Sequence, residues 1–142
     1  MSLMKTEEEI IQIRMYVPTT SSTSTYDVIK VDSYTYQLVN NHPFNENLIY
    51  GTIIEVHPEE KEEGVLEFKK IFAESTYNLE VIILPTSLAK HQLRAIGELI
   101  IDEGGFWEVI FGGLGYINLP KHSKLDVMKE LNKLIDTTND NT

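Results

Sequence analysis

Three acids, Asp102, Glu103 and Glu108, flank a Gly104-Gly105 step and the aromatic pair Phe106-Trp107. Carboxylates beside an aromatic wall can be driven apart in pKa, one held protonated as an acid and one ionised as a base. That is the chemistry of a small hydrolase or isomerase. The same residues also describe a solvated helix end followed by core aromatics, which is the commoner arrangement. A second constellation sets Glu55 and His57 two apart on a strand-like stretch, hence on one face, with Glu59 and Glu60 close by. A carboxylate and an imidazole so spaced can share a hard or borderline metal ion. A third ligand is not identifiable, and neither a metal nor another cofactor is expected. His42, His91 and His122 read as surface histidines, and there is no nucleophile elbow to pair with them. Gly112-Gly113-Leu114-Gly115 resembles a phosphate loop, but a strand follows where a phosphate cradle needs a helix start. A hairpin turn is expected there instead.

Two features suit binding rather than catalysis. In Asn41-His42-Pro43-Phe44 the Asn tolerates turn geometry, the Pro fixes φ, and the Phe can plug a core or present itself as a recognition element. Seven tyrosines, Tyr34 and Tyr36 among them, fall mostly on strand-like stretches. Aromatics on a sheet can stack nucleic-acid bases, but that requires interleaved Lys and Arg, and here Asp and Glu surround them. A protein-facing surface built on Asn41, Pro43, Phe44, Tyr34 and Tyr36 fits better.

Charge points the same way. The 142 residues carry a formal net charge of −10. Up to Pro85 there are 14 acids against 6 bases, and beyond it 8 against 6. The first half therefore holds most of the excess. Such a surface repels phosphate backbones and anionic headgroups, so nucleic acid and membrane partners are not expected, whereas a basic protein is compatible. With no cysteine, disulfides and thiolate zinc sites are excluded and a cytoplasmic address is the natural expectation. Met1-Ser2-Leu3 ahead of Met4 reads as a cloning scar, and residues 1–10 as a charged lead-in.

The elements that must position these residues follow from periodicity. Ile11, Ile13, Met15 and Val17 alternate with polar positions and stop at Pro18, which argues a half-buried strand. Thr19 to Thr25 holds only Ser and Thr and reads as an exposed loop. Strands over 26–31 and 34–39 form a hairpin turning at Asp32-Ser33. After the 40–43 breaker cluster, Phe44 and Leu48-Ile49-Tyr50 drop onto the core, 51–57 is strand, 58–64 an acidic turn, and 65–72 strand. The continuous run Val81-Ile82-Ile83-Leu84 suits a strand buried on both faces. The period then changes: Ala89, Leu93, Ile96 and Ile100 mark a helix capped by Thr86 or Ser87 and stopped at Gly104-Gly105. A hairpin over 106–119 follows, then a helix capped by Ser123, with Leu125, Met128, Leu131 and Ile135 on one stripe. Residues 137–142 form a polar tail.

This order predicts an α+β fold. A β-rich subdomain over 11–76, a small barrel or a curled antiparallel sheet, precedes a ferredoxin-like β-α-β-β-α subdomain over 77–136. The two can equally merge into one compact domain.

Asn41-His42-Pro43-Phe44 followed by Tyr50-Gly51 opening a strand resembles the bacterial domain-of-unknown-function 4265 family. The resemblance continues through the acidic turn, Leu66 and Phe68, the apolar strand at Val81 to Leu84, a helix, and Ile117-Asn118-Leu119-Pro120 before the last helix. It covers roughly 34–135. The sequence departs from the family pattern at Thr52, Glu80 and Ile29-Lys30-Val31-Asp32. The resemblance implies a distant member and a fold, and it supplies no catalytic residues.

Together these features predict a non-enzymatic protein-binding module, of the inhibitor or immunity type, whose acidic β half meets a basic partner. The alternatives are a small hydrolase or isomerase using Asp102, Glu103, Glu108 or His57, and a small-ligand-binding protein.

Overall fold

A computed structural model describes residues 9–43, 45 and 47–140. The chain divides into two compact units, Met1–Thr76 and Tyr77–Thr142. The fold class is α+β, with five strands in the first unit and three strands plus two helices in the second.

In the first unit the strands are β1 (Ile10–Val17), β2 (Ser22–Asp32), β3 (Thr35–Leu38), β4 (Ile53–Val56) and β5 (Leu66–Ala73). They pair in sequence order and close into a barrel. Each consecutive pair is antiparallel, so the fifth strand runs in the direction of the first. Closure is therefore a parallel contact, Met15 with Leu66 and Tyr16 with Glu67. Period-two alternation turns Met15, Val17, Tyr26, Val28, Tyr36, Leu38, Ile54 and Val56 inward, where they form one buried cluster. Register shifts at Lys30/Asp32, Ile53/Ile54 and Glu55/Val56 supply the extra bend that so small a barrel needs.

The β1–β2 connection differs from the expected loop. Only residues 18–21 turn; Ser22 to Thr25 are strand, paired with Val17 to Arg14. Exposed Ser and Thr lack an apolar face, but β-branched Thr suits a strand and the partner register is fixed by β1. The β2–β3 hairpin turns at Ser33-Tyr34, one residue later than expected, and Asp32 accepts a hydrogen bond from the Tyr34 N–H at 3.2 Å. Between β3 and β4, Leu48 drops into the barrel core as expected. Phe44 lies outside the described residues.

The second unit runs β6 (Tyr77–Ile83), α1 (Lys90–Asp102), β7 (Phe106–Ile110), β8 (Leu114–Pro120) and α2 (Val127–Asp140). The sheet order is β6-β8-β7, antiparallel throughout. Ile82 and Ile117 pack with Ile96 and Ile100 of α1 and with Val127 and Leu131 of α2, so both helices lie on one face. The apolar run in β6 is therefore not buried on two sides. Ile82 points at the helices, while Val81 and Ile83 are 46% and 80% exposed. The helix starts also shift. Ala89 is the N-cap of α1, its N–H bonded at 2.8 Å to the Gln92 side chain, and Asp126 Oδ1 accepts from the Lys129 N–H at 3.0 Å at the start of α2. Met128 faces outward, and the helix continues through Asp140, beyond the start of the expected tail.

Gly97 sits in the middle of α1, where glycine normally costs about 1 kcal/mol relative to alanine. A Cβ there would fall 2.6 Å from Trp107 Cζ2, so the glycine exists to admit the indole. Gly97→Ala should therefore destabilise the protein despite its better helix propensity, by about 1–3 kcal/mol from overpacking. Urea unfolding followed by tryptophan fluorescence reads this directly, and an unchanged or raised midpoint refutes the packing account.

Candidate functional site

Successive connections of a meander fall at alternate ends of the barrel. The β2–β3 turn and the β4–β5 turn thus share one end, and the β1–β2 turn and the β3–β4 segment share the other. The two ends carry different chemistry.

The first end is acidic. The β4–β5 turn presents Glu59, Glu60, Glu62 and Glu63, all exposed. It is held in shape by Lys61 N–H to Val65 O and Val65 N–H to Glu62 O, both 2.9 Å, and by the Gly64 N–H donating to Glu60 Oε1 at 3.3 Å. Gly64 takes φ +79°, the left-handed region that favours glycine. Lys61 Nζ lies 4.0 Å from the centre of the Tyr16 ring, which pins the turn to β1. His57, Pro58, Glu59, Glu60, Lys61 and Glu67 line a shallow depression of about 550 Å³. Tyr34, 46% exposed, and Asp32 come from the neighbouring β2–β3 turn. The Tyr34 N–H, aimed at the Asp32 carboxylate, holds its pKa below the usual range.

At the second end, Thr20, Ser22, Ser24, Tyr26, His42, Pro43 and Asn45 line a cavity of about 300 Å³. No ionised side chain among the described residues lines it. The His42 ring lies 4.1 Å from that of Tyr26, centre to centre, tilted by 42°. His42 Nε2 is buried with no hydrogen-bond partner among the described residues. Burial lowers the His42 pKa from 6.5 to about 4, against the opposing pull of Asp27. Burial likewise raises the Tyr26 phenol, with a smaller opposing effect from its hydrogen bond to Ser24. His42 is thus not the surface histidine expected from its place in a turn.

The residues singled out from sequence fare differently. Asn41 is buried, and its Oδ1 accepts from the Tyr50 N–H at 2.9 Å, so it braces the β3–β4 segment. Pro43 lines the uncharged cavity. Tyr36 is a barrel-core residue, 8% exposed, which corrects its assignment to a binding surface; Tyr34 alone of that pair faces solvent. Glu55 is taken by Lys69 at 3.2 Å and Lys70 at 3.9 Å, and His57 stands with the acidic turn instead. Among the described residues no group of three or more His, Asp or Glu is placed to hold a metal ion. Asp102 and Glu103 end α1, and Glu103 accepts from the Ser123 hydroxyl at 2.5 Å. Glu108 is next to Trp107, which packs toward the helices, so its side chain leaves the sheet on the opposite face. The three acids do not converge on one site. Sequence reasoning missed the pairing of His42 with Tyr26. Its only trace is the spacing Ser22, Ser24, Tyr26, Val28 on one strand face.

The fold so described is that of an α+β protein of two compact units. No family model and no curated protein matches the chain. Among solved structures it is similar to a hypothetical protein from Neisseria gonorrhoeae, with a TM-score of 0.54 and 16% identity, over 91% of this chain and 89% of that one. That likeness shows the fold alone.

The folded chain keeps His42 neutral down to about pH 4, whereas the unfolded chain takes up the proton near 6.5. Protons therefore favour unfolding as pH falls through that window. The loss is at most about 3 kcal/mol, and the contribution is intact above pH 6.5. Urea midpoints measured near neutral pH and near pH 4.5 should converge for His42→Phe relative to the wild type. Equal acid sensitivity in the two proteins would remove His42 as the cause.

Proposed function

We propose that this chain is a non-enzymatic protein-binding module, of the inhibitor or immunity type, which receives a basic partner on the acidic end of its barrel. One observation carries the reading: the two turns at that end of the barrel present exposed Glu59, Glu60, Glu62 and Glu63 on one and exposed Tyr34 with Asp32 on the other. Lys69 and Lys70 pair with Glu55 on the barrel strands, which leaves Lys61 as the one cation within the turn itself. Carboxylates held by a hydrogen-bonded turn need little ordering on association, and tyrosine adds rigid contact area at low entropic cost. An acidic end of this kind steers a cationic protein inward and raises its on-rate by about 10- to 1,000-fold at low salt. It repels nucleic acid and anionic membrane surfaces for the same reason.

Two structural assignments belong with this reading. The order β6-β8-β7 with the sequence β-α-β-β-α supports a ferredoxin-like second unit lacking its closing strand. The Asn41-His42-Pro43-Phe44 stretch and Tyr50-Gly51, which bracket the β3–β4 segment, support distant membership of the domain-of-unknown-function 4265 family. The absence of cysteine supports a cytoplasmic setting. Among the described residues no helix is long and apolar enough to cross a membrane.

The test is affinity capture from the source cytosol with the intact protein and with a variant carrying Glu59→Gln, Glu60→Gln, Glu62→Gln and Glu63→Gln. The expected result is a basic protein retained by the wild type at about 50 mM salt, released near 500 mM as screening shortens the reach of charge to a few ångströms, and lost by the variant. Retention that ignores both salt and the four substitutions would refute the reading.

A further inference from the structure

The opposite end of the barrel has a distinct use. Along β2 the inward face reads Val28, Tyr26, Ser24, Ser22: apolar in the barrel, then hydroxyl-bearing at its mouth. A strand that overshoots its barrel can end its inner face in anything soluble. Here Ser22 and Ser24, themselves exposed, border an open cavity of about 300 Å³ whose other side is formed by His42, Pro43 and Asn45 of the β3–β4 segment. That segment is tied down by His42 N–H to Leu48 O at 3.0 Å, Asn45 N–H to His42 O at 3.1 Å and Leu48 N–H to Asn45 O at 3.0 Å. Barrel mouths are a recurrent place for small ligands, and this volume is at the lower end of such sites.

The lining selects the ligand class. Thr20, Ser22, Ser24 and Asn45 offer groups that both donate and accept, and His42 and Tyr26 supply a tilted pair of rings. Thr20 Oγ1 and Ser22 Oγ bond each other at 2.8 Å, so the hydroxyls already form a connected rim. Among the described residues no Lys or Arg lines the cavity, and Asp27 lies close enough to His42 to act on its charge. An anion would meet a negative field with no cation to receive it. An apolar molecule would displace water from the exposed rim hydroxyls and offer them no hydrogen bond in its place. A neutral molecule rich in hydroxyl groups satisfies both demands.

We propose that the mouth of the barrel binds a small, uncharged polyhydroxy molecule of monosaccharide size. Its hydroxyls bond the Thr20–Ser22–Ser24 rim and Asn45, while its carbon face rests against the rings of His42 and Tyr26. This site is independent of the acidic end, so either can fail alone.

The experiment is a titration of the full chain, followed by amide and imidazole NMR, with glucose, ribose and myo-inositol as neutral probes and inorganic phosphate as the charged control. At least one neutral probe should give saturable shifts at Ser22, Ser24 and His42 with millimolar affinity, and phosphate none. Ser22→Val with Ser24→Val should weaken that binding at least about tenfold, since two hydrogen bonds are lost. Valine is a good strand former, so the unfolding midpoint should hold; Thr20→Val, outside the strands, provides a second variant with the same expected direction. Shifts that stay linear to about 100 mM for every neutral probe overturn the proposal. So does saturation by phosphate alone, or unchanged affinity in both variants.

Discussion

An odd-numbered meander can close only by laying its last strand parallel to its first, and much of the first unit depends on that seam. Met15 meets Leu66 and Tyr16 meets Glu67, so the end of β1 is paired with the beginning of β5. Such an offset tilts every strand, and the tilt lets the small interior be filled by eight inward side chains and one plug, Leu48. The same seam brings the β4–β5 turn against β1, where Lys61 rests on Tyr16. Without closure the acidic turn would be a tethered loop. With closure it is a fixed edge of charge.

The second unit answers a different constraint, that of a three-stranded sheet with helices on a single face. Ile82, Ile117 and Trp107 face α1 and α2, and the indole demands so close an approach that Gly97 must lack a side chain. Gly105 is under similar pressure, since a Cβ there would stand 2.6 Å from Asn118 O. The glycines of this unit are therefore set by approach as much as by turning. Gly104, at φ +81°, does the turning, while the Gly105 N–H closes the helix on Ile100 O at 2.9 Å.

Local pattern carries a good deal of this, and its failures share a cause. Alternation in Ile11 to Val17 and the three- and four-residue spacing of Leu93, Ile96 and Ile100 report directly on which face is buried, so those elements are legible. Val81 to Ile83 misleads because a β-branched run shows strand preference without telling how many faces are covered. Ser22 to Thr25 misleads because a strand wholly in water leaves no hydrophobic period. Tyr36 and Tyr34 are indistinguishable in type, and they part because Tyr34 falls in the β2–β3 turn while Tyr36 lies within β3. The acidic turn can be read from composition. Its sharing an end with Tyr34 cannot, because that follows from the order in which strands pair.

His42 shows why the two ends of the barrel need to be considered together. At one end carboxylates are concentrated with their hydration intact, so their charge reaches outward. At the other, a titratable ring is withdrawn beneath Tyr26, and burial outweighs the pull of Asp27. A charged imidazole there would have drawn the acidic field inward and bound anions at the mouth. Held neutral through the physiological range, it leaves the mouth to hydroxyl and amide chemistry. Among the described residues the lining of this cavity thus carries no ionised group, and the neutrality of its one titratable ring comes from burial, a property of its place in the fold and of no residue type alone.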